Sequence, residues 1–429
     1  MGKGQGYKPM VPQPGAWSIL TIADKLLHRS RRKGYSKALS DEALREYEPR
    51  LIDHIDIFHN RVTPARTSDG WSSPSNLAID GMFLTLDVMC DFGFGQTENF
   101  QLNHDQKFVT DAFRNYSIRM GVYAQFPALA TLKLEIFVAL CGFGVGIWRK
   151  FTAWRSKFTA LVVGKIDRAH IGQFAHIRAL KDPYSGNTIS DLELWAEGCF
   201  LMLAGSETTA IAVSAVFFYL AKFPEVYARL AGEIRDTFDN LEEVKSGQKL
   251  LSCSYLTAVI TEAMRMSPPI PGIPFREVES DGAHVDGQWI PGGYTVGTGV
   301  YALHHNPEYF SEPYSFRPKR WLDGTCQDGA AAAQDVRKAR SALMTFSLGP
   351  RGCLGRSMAF QQLNLIVART IFAYDFRLTP GELGKVGEGD PKNPLRHCPD
   401  EFQLYAHITS YCDGPWLQYR RRESNPQKS

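Results

Sequence analysis

The segment from Ser190 to Ala221, SDLELWAEGCFLMLAGSETTAIAVSAVFFYLA, constrains this chain more than any other. It reads as one long helix. Ser190 and Glu193 have capping-box spacing, Ile189 before the cap can staple against Leu194, and the helix ends before Pro224. Its apolar residues fall on nearly every face. A helix of that kind must be covered all round, so it runs through the middle of the molecule with other elements packed about it. Inside it lies Ala204-Gly205-Ser206-Glu207-Thr208-Thr209. A glycine and two β-branched residues weaken a helix interior, so this stretch asks for a reason beyond packing.

Further helices are expected over the basic stretch Asp24–Lys33, after a cap at Ser40-Asp41-Glu42, over Ser254–Met266 and over Arg356–Tyr374. PPIPG stops the third of these. HVDGQWIPGGYTVGTGVYAL reads as β structure, with Asp286-Gly287 as a hairpin turn. From there to Thr345 the chain is rich in Pro, Gly and Ala and reads as irregular. There is no repeat and no linker between separate cores. The expected fold class is mainly α with small β-sheets (α+β). A single domain is expected over 1–429, with 1–20 and 421–429 irregular, although length alone would suggest about three domains.

Lys plus Arg is 48 and Asp plus Glu is 45, a net charge of +3. That balance argues against nucleic acid as a partner. The eight cysteines stand singly, which disfavours a zinc site or a disulfide framework and points to a reducing compartment. The 26 phenylalanines suit a bulky apolar ligand, and equally a large core. No segment is expected to reach the roughly eighteen apolar residues of a membrane span. Ile136–Trp148 comes nearest and could dip into a membrane surface, though an ordinary buried element has the same composition. The start, MGKGQGYKPMVPQPG, is too polar for a signal peptide.

The stretch Phe346–Gly355, FSLGPRGCLG, places Cys353 just before a helix. Backbone N–H groups and the helix dipole stabilise a thiolate there. Gly349, Gly352 and Gly355 permit tight turns and close approach of something flat. The Gly-Lys-Ser/Thr ending of a phosphate loop is missing. A nucleophilic cysteine would need a base, which no feature assigns. A thiolate metal ligand needs a counter-charge and amide hydrogen bonds to sulfur, and the loop offers both. A lone cysteine is more often a packing residue.

The full spacing, Phe346-x-x-Gly349-x-Arg351-x-Cys353-x-Gly355, resembles the heme-binding loop of the cytochrome P-450 (heme-thiolate monooxygenase) family. The resemblance implies that Cys353 is the axial ligand of heme iron, that Arg351 pairs with a heme propionate and that Phe346 shields the sulfur. Thr345 stands where many members have proline. Glu262 and Arg265 resemble the family's Glu-x-x-Arg helix, and Arg320, in FRPKRW, the arginine that completes a structural triad; Lys319 replaces the usual glutamate there. Read without the family, Glu262 and Arg265 are an ordinary helical ion pair of little worth. AGSETT resembles the oxygen-activation motif. That implies catalytic roles for Thr208, which can rearrange mid-helix hydrogen bonds and hold water, and for Glu207, which can relay protons from solvent. Gly205 would leave room beside the heme. His28 and Arg32, four apart, resemble a fungal-type propionate-binding pair, and Arg276 a further propionate arginine. Arg29 and Lys33 read as a solvated basic face that could meet an acidic reductase. Ile270, Ile273 and Pro274 would edge the substrate pocket. His304 and His305 are structural on this reading.

The resemblance runs from about Leu20 to about Tyr405 and implies a cytochrome P-450 fold of the eukaryotic microsomal type, fungal in kind. Members carry an N-terminal anchor, early strands, helices and a recognition loop ahead of the basic helix. About twenty residues stand in their place here, so either a fragment of a longer protein or an N-terminally shortened variant is expected. The implied activity is a monooxygenase of fungal secondary metabolism with heme b, dioxygen and NADPH-derived electrons from a partner reductase. Its substrate would be a small apolar molecule, and its place the cytoplasmic face of the endoplasmic reticulum membrane through peripheral contact, or the cytoplasm. The thiolate would favour O–O cleavage. The alternatives are a heme-thiolate isomerase or dehydratase, which an intact Glu207-Thr208 disfavours, and a heme-binding protein without turnover.

Overall fold

The structure, a computed structural model, describes residues 2–11, 14–63, 69–103, 108–131, 156–157, 159–166, 172–322 and 329–422. The Ile136–Trp148 segment lies outside them.

Thirteen helices are labelled here in chain order among the described residues. They are α1 (Lys25–Ala38), α2 (Asp41–Val62), α3 (Leu77–Phe94), α4 (Phe108–Gln125), α5 (Pro127–Thr131), α6 (Phe174–Arg178) and α7 (Asp191–Lys222). The remainder are α8 (Pro224–Thr237), α9 (Gln248–Ser252), α10 (Ser254–Met266), α11 (Val300–His304), α12 (Gly329–Ala342) and α13 (Arg356–Ala373). The strands are short: β1 (Gly2–Lys3), β2 (Ser75–Asn76), β3 (Arg276–Glu277), β4 (Ala283–Val285), β5 (Gln288–Ile290), β6 (Thr295–Val296), β7 (Tyr374–Leu378) and β8 (Trp416–Arg421). They form antiparallel sheets in the orders β1-β3-β6 and β2-β8-β7, with β4-β5 a separate hairpin. The α+β class is as expected.

The central helix is α7. Its capping box forms: the Glu193 N–H donates to Ser190 Oγ at 3.3 Å, and the Ser190 N–H donates to Glu193 Oε2 at 3.2 Å. Pro224 cannot continue the hydrogen-bond ladder and instead starts α8. Helix α3 packs along α7, with α10 and α13 on other sides. By length and composition α7 could cross a membrane, contrary to the expectation that no segment would. Its most apolar eighteen-residue window is 72% buried, so it is the core helix and its apolar surface is spent on its neighbours. Fully buried Val213, Val216, Phe217 and Phe218 lie in the same core as Leu84, Leu86 and Val88 of α3.

Ser40 caps α2 as expected, Asp24 caps α1 rather than lying inside it, and α10 spans the expected residues. The β4-β5 turn places Asp286 at φ 49° and Gly287 at φ 75°, the signs of a type I′ turn. Four expectations need correction. The stretch read as β through Leu303 turns helical at Val300, where α11 begins. The Ala-rich run before Thr345 is not irregular: GAAAAQDVRKARSA forms α12, because Ala, Arg, Lys and Gln are strong helix formers. Residues 1–20 are not wholly irregular, since β1 pairs with β3 and a 3-10 turn spans Gln5–Met10. At the other end Arg421 still belongs to β8.

Candidate active site

The cysteine loop hangs between a short 3-10 turn, Gly349–Arg351, and the start of α13. Two left-handed residues shape it, Ser347 at φ 55° and Gly349 at φ 70°. Gly349 adopts this without strain; Ser347 does so at a cost, which marks the loop as held in shape by its surroundings. The Cys353 N–H donates to the Phe346 carbonyl at 2.8 Å, which closes the loop. The Phe346 ring lies 5.4 Å from Phe360, with the Arg356 guanidinium over both. The Cys353 side chain is exposed, yet dense protein around it raises the thiol pKa. The Gly355 N–H and the charges of Arg32 and Arg356 act the other way. Amide hydrogen bonding to sulfur and nearby cations are what a thiolate ligand requires.

Helix α1 brings its basic residues to this loop. The Arg32 Nη1 donates to the Gly352 carbonyl at 2.8 Å. Arg351 reaches back, donating to the carbonyls of Ile22 at 2.9 Å and Ala23 at 3.1 Å. Arg276 donates to the carbonyls of Pro274 and Phe275 and to the Tyr7 hydroxyl. A residue not singled out from sequence joins them: Lys3 of β1, whose Nζ donates to the Ile19 carbonyl at 3.3 Å. Burial pushes the Lys3 pKa down to about 7, and Arg351 and Arg276 add to that. Arg351 is lowered by burial and by Arg276. His28 is buried and held near 4 by burial, Arg351, Lys3 and Arg32, so it is a neutral imidazole. None of Lys3, Arg32, Arg276 and Arg351 forms an ion pair with a carboxylate among the described residues; they donate to carbonyls and a hydroxyl, and Lys3 also lies over the Tyr7 ring. Mutually repelling, half-buried cations of this kind fit a bound dianion. Heme carries two propionates, and the residues present fit it.

Next to this cluster, Arg31 of α1 is turned inward. It pairs with Glu193 and Glu197 of α7, and Glu197 also accepts from the Tyr35 hydroxyl at 2.7 Å and the Ile19 N–H. Burial raises the Glu197 pKa to about 7, against its hydrogen bonds and Arg31. This buried network ties α1 to the core helix and fixes where Arg32 and His28 sit. No sequence signal separated Arg31 from its basic neighbours.

The triad forms. Glu262 is fully buried and accepts five hydrogen bonds: two from Arg265 at 2.9 Å each, and one each from Arg320 Nε, the Arg317 N–H and Trp321 Nε1. Trp321, adjacent to Arg320 in sequence, is the member that the three-residue pattern omits. His304 links this network to the cysteine loop. Its Nδ1–H donates to the Arg265 carbonyl at 3.1 Å and its Nε2 accepts from the Met344 N–H at 2.9 Å. That fixes one neutral tautomer, in line with a pKa driven to about 3 by burial. His304 is structural, as expected.

Thr208 and Glu207 touch none of the cations around Cys353. The Thr208 hydroxyl donates to the Ala204 carbonyl one turn back at 2.7 Å, and the Thr85 hydroxyl of α3 donates to the Ser206 carbonyl at 3.0 Å. Backbone carbonyls in the motif therefore carry extra donors, a local loosening of the ladder. Glu207 is not solvent-exposed. It is buried, hydrogen-bonded by Ser117 of α4 and by Thr409, and burial raises its pKa to about 7. Gly205 sits against α3. A Cβ there would meet Met89 Cε at 2.4 Å, so its missing side chain serves the close approach of α3 to α7. Ile270 and Ile273 are partly exposed.

The fold and site together define a mainly helical protein that presents one loop cysteine beside an anion-ready ring of cations. A model of the cytochrome P-450 family matches residues 4–390, and the chain belongs to that family. It is similar to the cytochrome P-450 monooxygenase apf7 of Gibberella fujikuroi, at 32% identity over 98% of this chain and 81% of the relative. The corresponding figures for the monooxygenase AKT7 of Alternaria alternata are 34%, 98% and 80%. A cytochrome P-450 monooxygenase of Gibberella zeae matches at 33%, 98% and 95%. The chain is accordingly an enzyme, a monooxygenase of the fungal type.

Proposed function

We propose that this enzyme inserts one oxygen atom of dioxygen into a small apolar organic substrate, using electrons that a reductase draws from NADPH. The observation that carries the reading is the cluster of Lys3, Arg32, Arg276 and Arg351, without a carboxylate ion pair among the described residues and joined through Arg32 and Arg351 to the loop that presents Cys353, which matches the charge of heme b. When bound, the heme supplies the dioxygen and one-electron chemistry.

The chain's own residues have separable tasks. Cys353 offers the thiolate, and the Gly355 N–H together with Arg32 and Arg356 favours its charged form. Arg351, Arg276 and Arg32 orient the propionate edge; His28 is neutral and can donate one hydrogen bond there. Thr208 can swing its hydroxyl from the Ala204 carbonyl to hold a water. Glu207, with a pKa near 7, holds a proton at the pH where a proton relay is useful. Glu262, Arg265 and Arg320 hold the region behind the loop. Ile270, Ile273 and Pro274 edge the substrate side. The exposed basic face of α1 is a fitting contact for an acidic reductase, and peripheral attachment to the cytoplasmic face of the endoplasmic reticulum membrane suits a eukaryotic member.

The test is a reconstituted assay with NADPH, reductase, dioxygen and a panel of apolar substrates. Hydroxylated product is expected, and Thr208→Ala should divert electrons from product to peroxide. Rearranged or dehydrated product formed without dioxygen would replace this reading by an isomerase or dehydratase.

A further inference from the structure

Glu207 has no cationic partner among the described residues. Three oxygens instead form a closed triangle. Ser117 Oγ lies 3.1 Å from Glu207 Oε2, and Ser117 Oγ lies 2.7 Å from Thr409 Oγ1. Thr409 Oγ1 closes the figure on Glu207 Oε2. All three residues are buried. Each arm of the triangle needs one proton. With Glu207 ionised, the two hydroxyls supply only two. With Glu207 protonated there are three, and each oxygen can donate to the next around the ring. The neutral acid thus closes the triangle, but the ionised carboxylate takes both hydroxyls as charge-assisted donors, so the clamp favours the charged form and opposes the effect of burial. The members come from three places: α7, α4 and the C-terminal chain, which the Ser410 N–H anchors to the Pro269 carbonyl beside α10.

We infer that Ser117 and Thr409 are positioning residues for proton supply, a hydroxyl clamp that sets the orientation and proton affinity of Glu207. The inference rests on the proton-relay role proposed for Glu207. In the working cycle the Glu207 carboxyl would give its proton to the water that Thr208 can hold, the carboxylate is held by the two hydroxyls, and solvent water returns a proton. Other groups facing the acid do not compete. Cys412 feels its charge but is pushed to about 12, first by burial, and stays a neutral thiol. Arg114 of α4 lies over the Tyr411 ring, and neighbouring His407 is held below its ordinary value by burial and Arg114.

The experiment is an infrared pH titration of the Glu207 carboxyl in the purified full chain, isolated as the difference from Glu207→Gln in each background. Thr409→Val keeps the shape and removes a donor to the carboxylate, so the midpoint should rise by about one pH unit. Thr409→Ser should restore it. Ser117→Ala should move it the same way and serves as the readout if Thr409→Val does not fold. An unmoved midpoint in the folded variants would overturn the clamp. The same proteins are assayed for the share of NADPH electrons released as peroxide, which should rise with the midpoint. A moved midpoint with unchanged peroxide release, in these variants and in Glu207→Gln, would leave the clamp standing and remove the relay role of Glu207.

Discussion

Replacing Glu262 by Gln keeps the side chain's size and removes its charge. In the native protein that carboxylate accepts five hydrogen bonds and faces Arg265, itself fully buried, and Arg320. Its pKa is held below the ordinary carboxylate value by Arg265 first and then Arg320, in spite of its burial. The amide can accept through one oxygen only, and its NH2 must confront donors. Arg265 keeps its bonds to the His304 and Pro313 carbonyls but loses its counter-charge. Breaking a buried pair from one side costs about 3–5 kcal/mol. At roughly 2 °C per kcal/mol for a long chain, the melting midpoint should fall by about 6–10 °C. Arg320→Ala removes one partner nearer the surface and should cost about 1–3 kcal/mol. The assay is thermal unfolding of both variants and the parent at one scan rate. A Glu262→Gln midpoint within about 2 °C of the parent would refute the reasoning, because the cluster would then be an ion network of no net consequence.

His304→Leu should cost about 2–4 kcal/mol in thermal or denaturant unfolding, since it strands the Met344 N–H and the Arg265 carbonyl. Arg351→Ala and Arg276→Ala should each speed heme loss to a scavenging protein by about 10-fold or more, without destabilising the heme-free chain, whose cations repel one another. For Glu207 the folded pKa, about 7, lies above the ordinary 4.5, so its contribution is full below 4.5 and is lost as pH rises through 7. The melting midpoint of Glu207→Gln should therefore gain on the parent's between pH 5 and 8; a pH-independent difference would contradict this. His304 has the opposite sign: its folded pKa of about 3 lies below 6.5, so its contribution is full above 6.5 and is lost as pH falls towards 3.

What the sequence made legible were features whose causes are local or rigidly spaced. The capping box and Pro224 bound α7 almost to the residue, and Asp286-Gly287 gave a sharp turn signal. The triad was legible because Glu262 and Arg265 share one helix, and the FRPKRW segment carries both Arg320 and the overlooked Trp321. What was not legible depends on distant chain meeting in space. Ser117 and Thr409 are 292 residues apart and neither has a distinctive neighbour. Lys3 reaches the cation ring only because a two-residue strand pairs with Arg276-Glu277. Arg31 and Arg32 are adjacent, yet the helix turns one towards Glu197 and the other towards Gly352. In α12 the alanines were outweighed by the surrounding Pro and Gly, and at Gly205 the space it leaves is taken up by Met89.

Everything proposed for this enzyme depends on Cys353 ligating heme iron as a thiolate. The direct measurement is the carbon-monoxide difference spectrum of the reduced protein, alongside Cys353→Ser. The thiolate-type red-shifted band is expected in the parent and should vanish in the variant. A parent without that band, or a variant that retains it, would contradict the assignment.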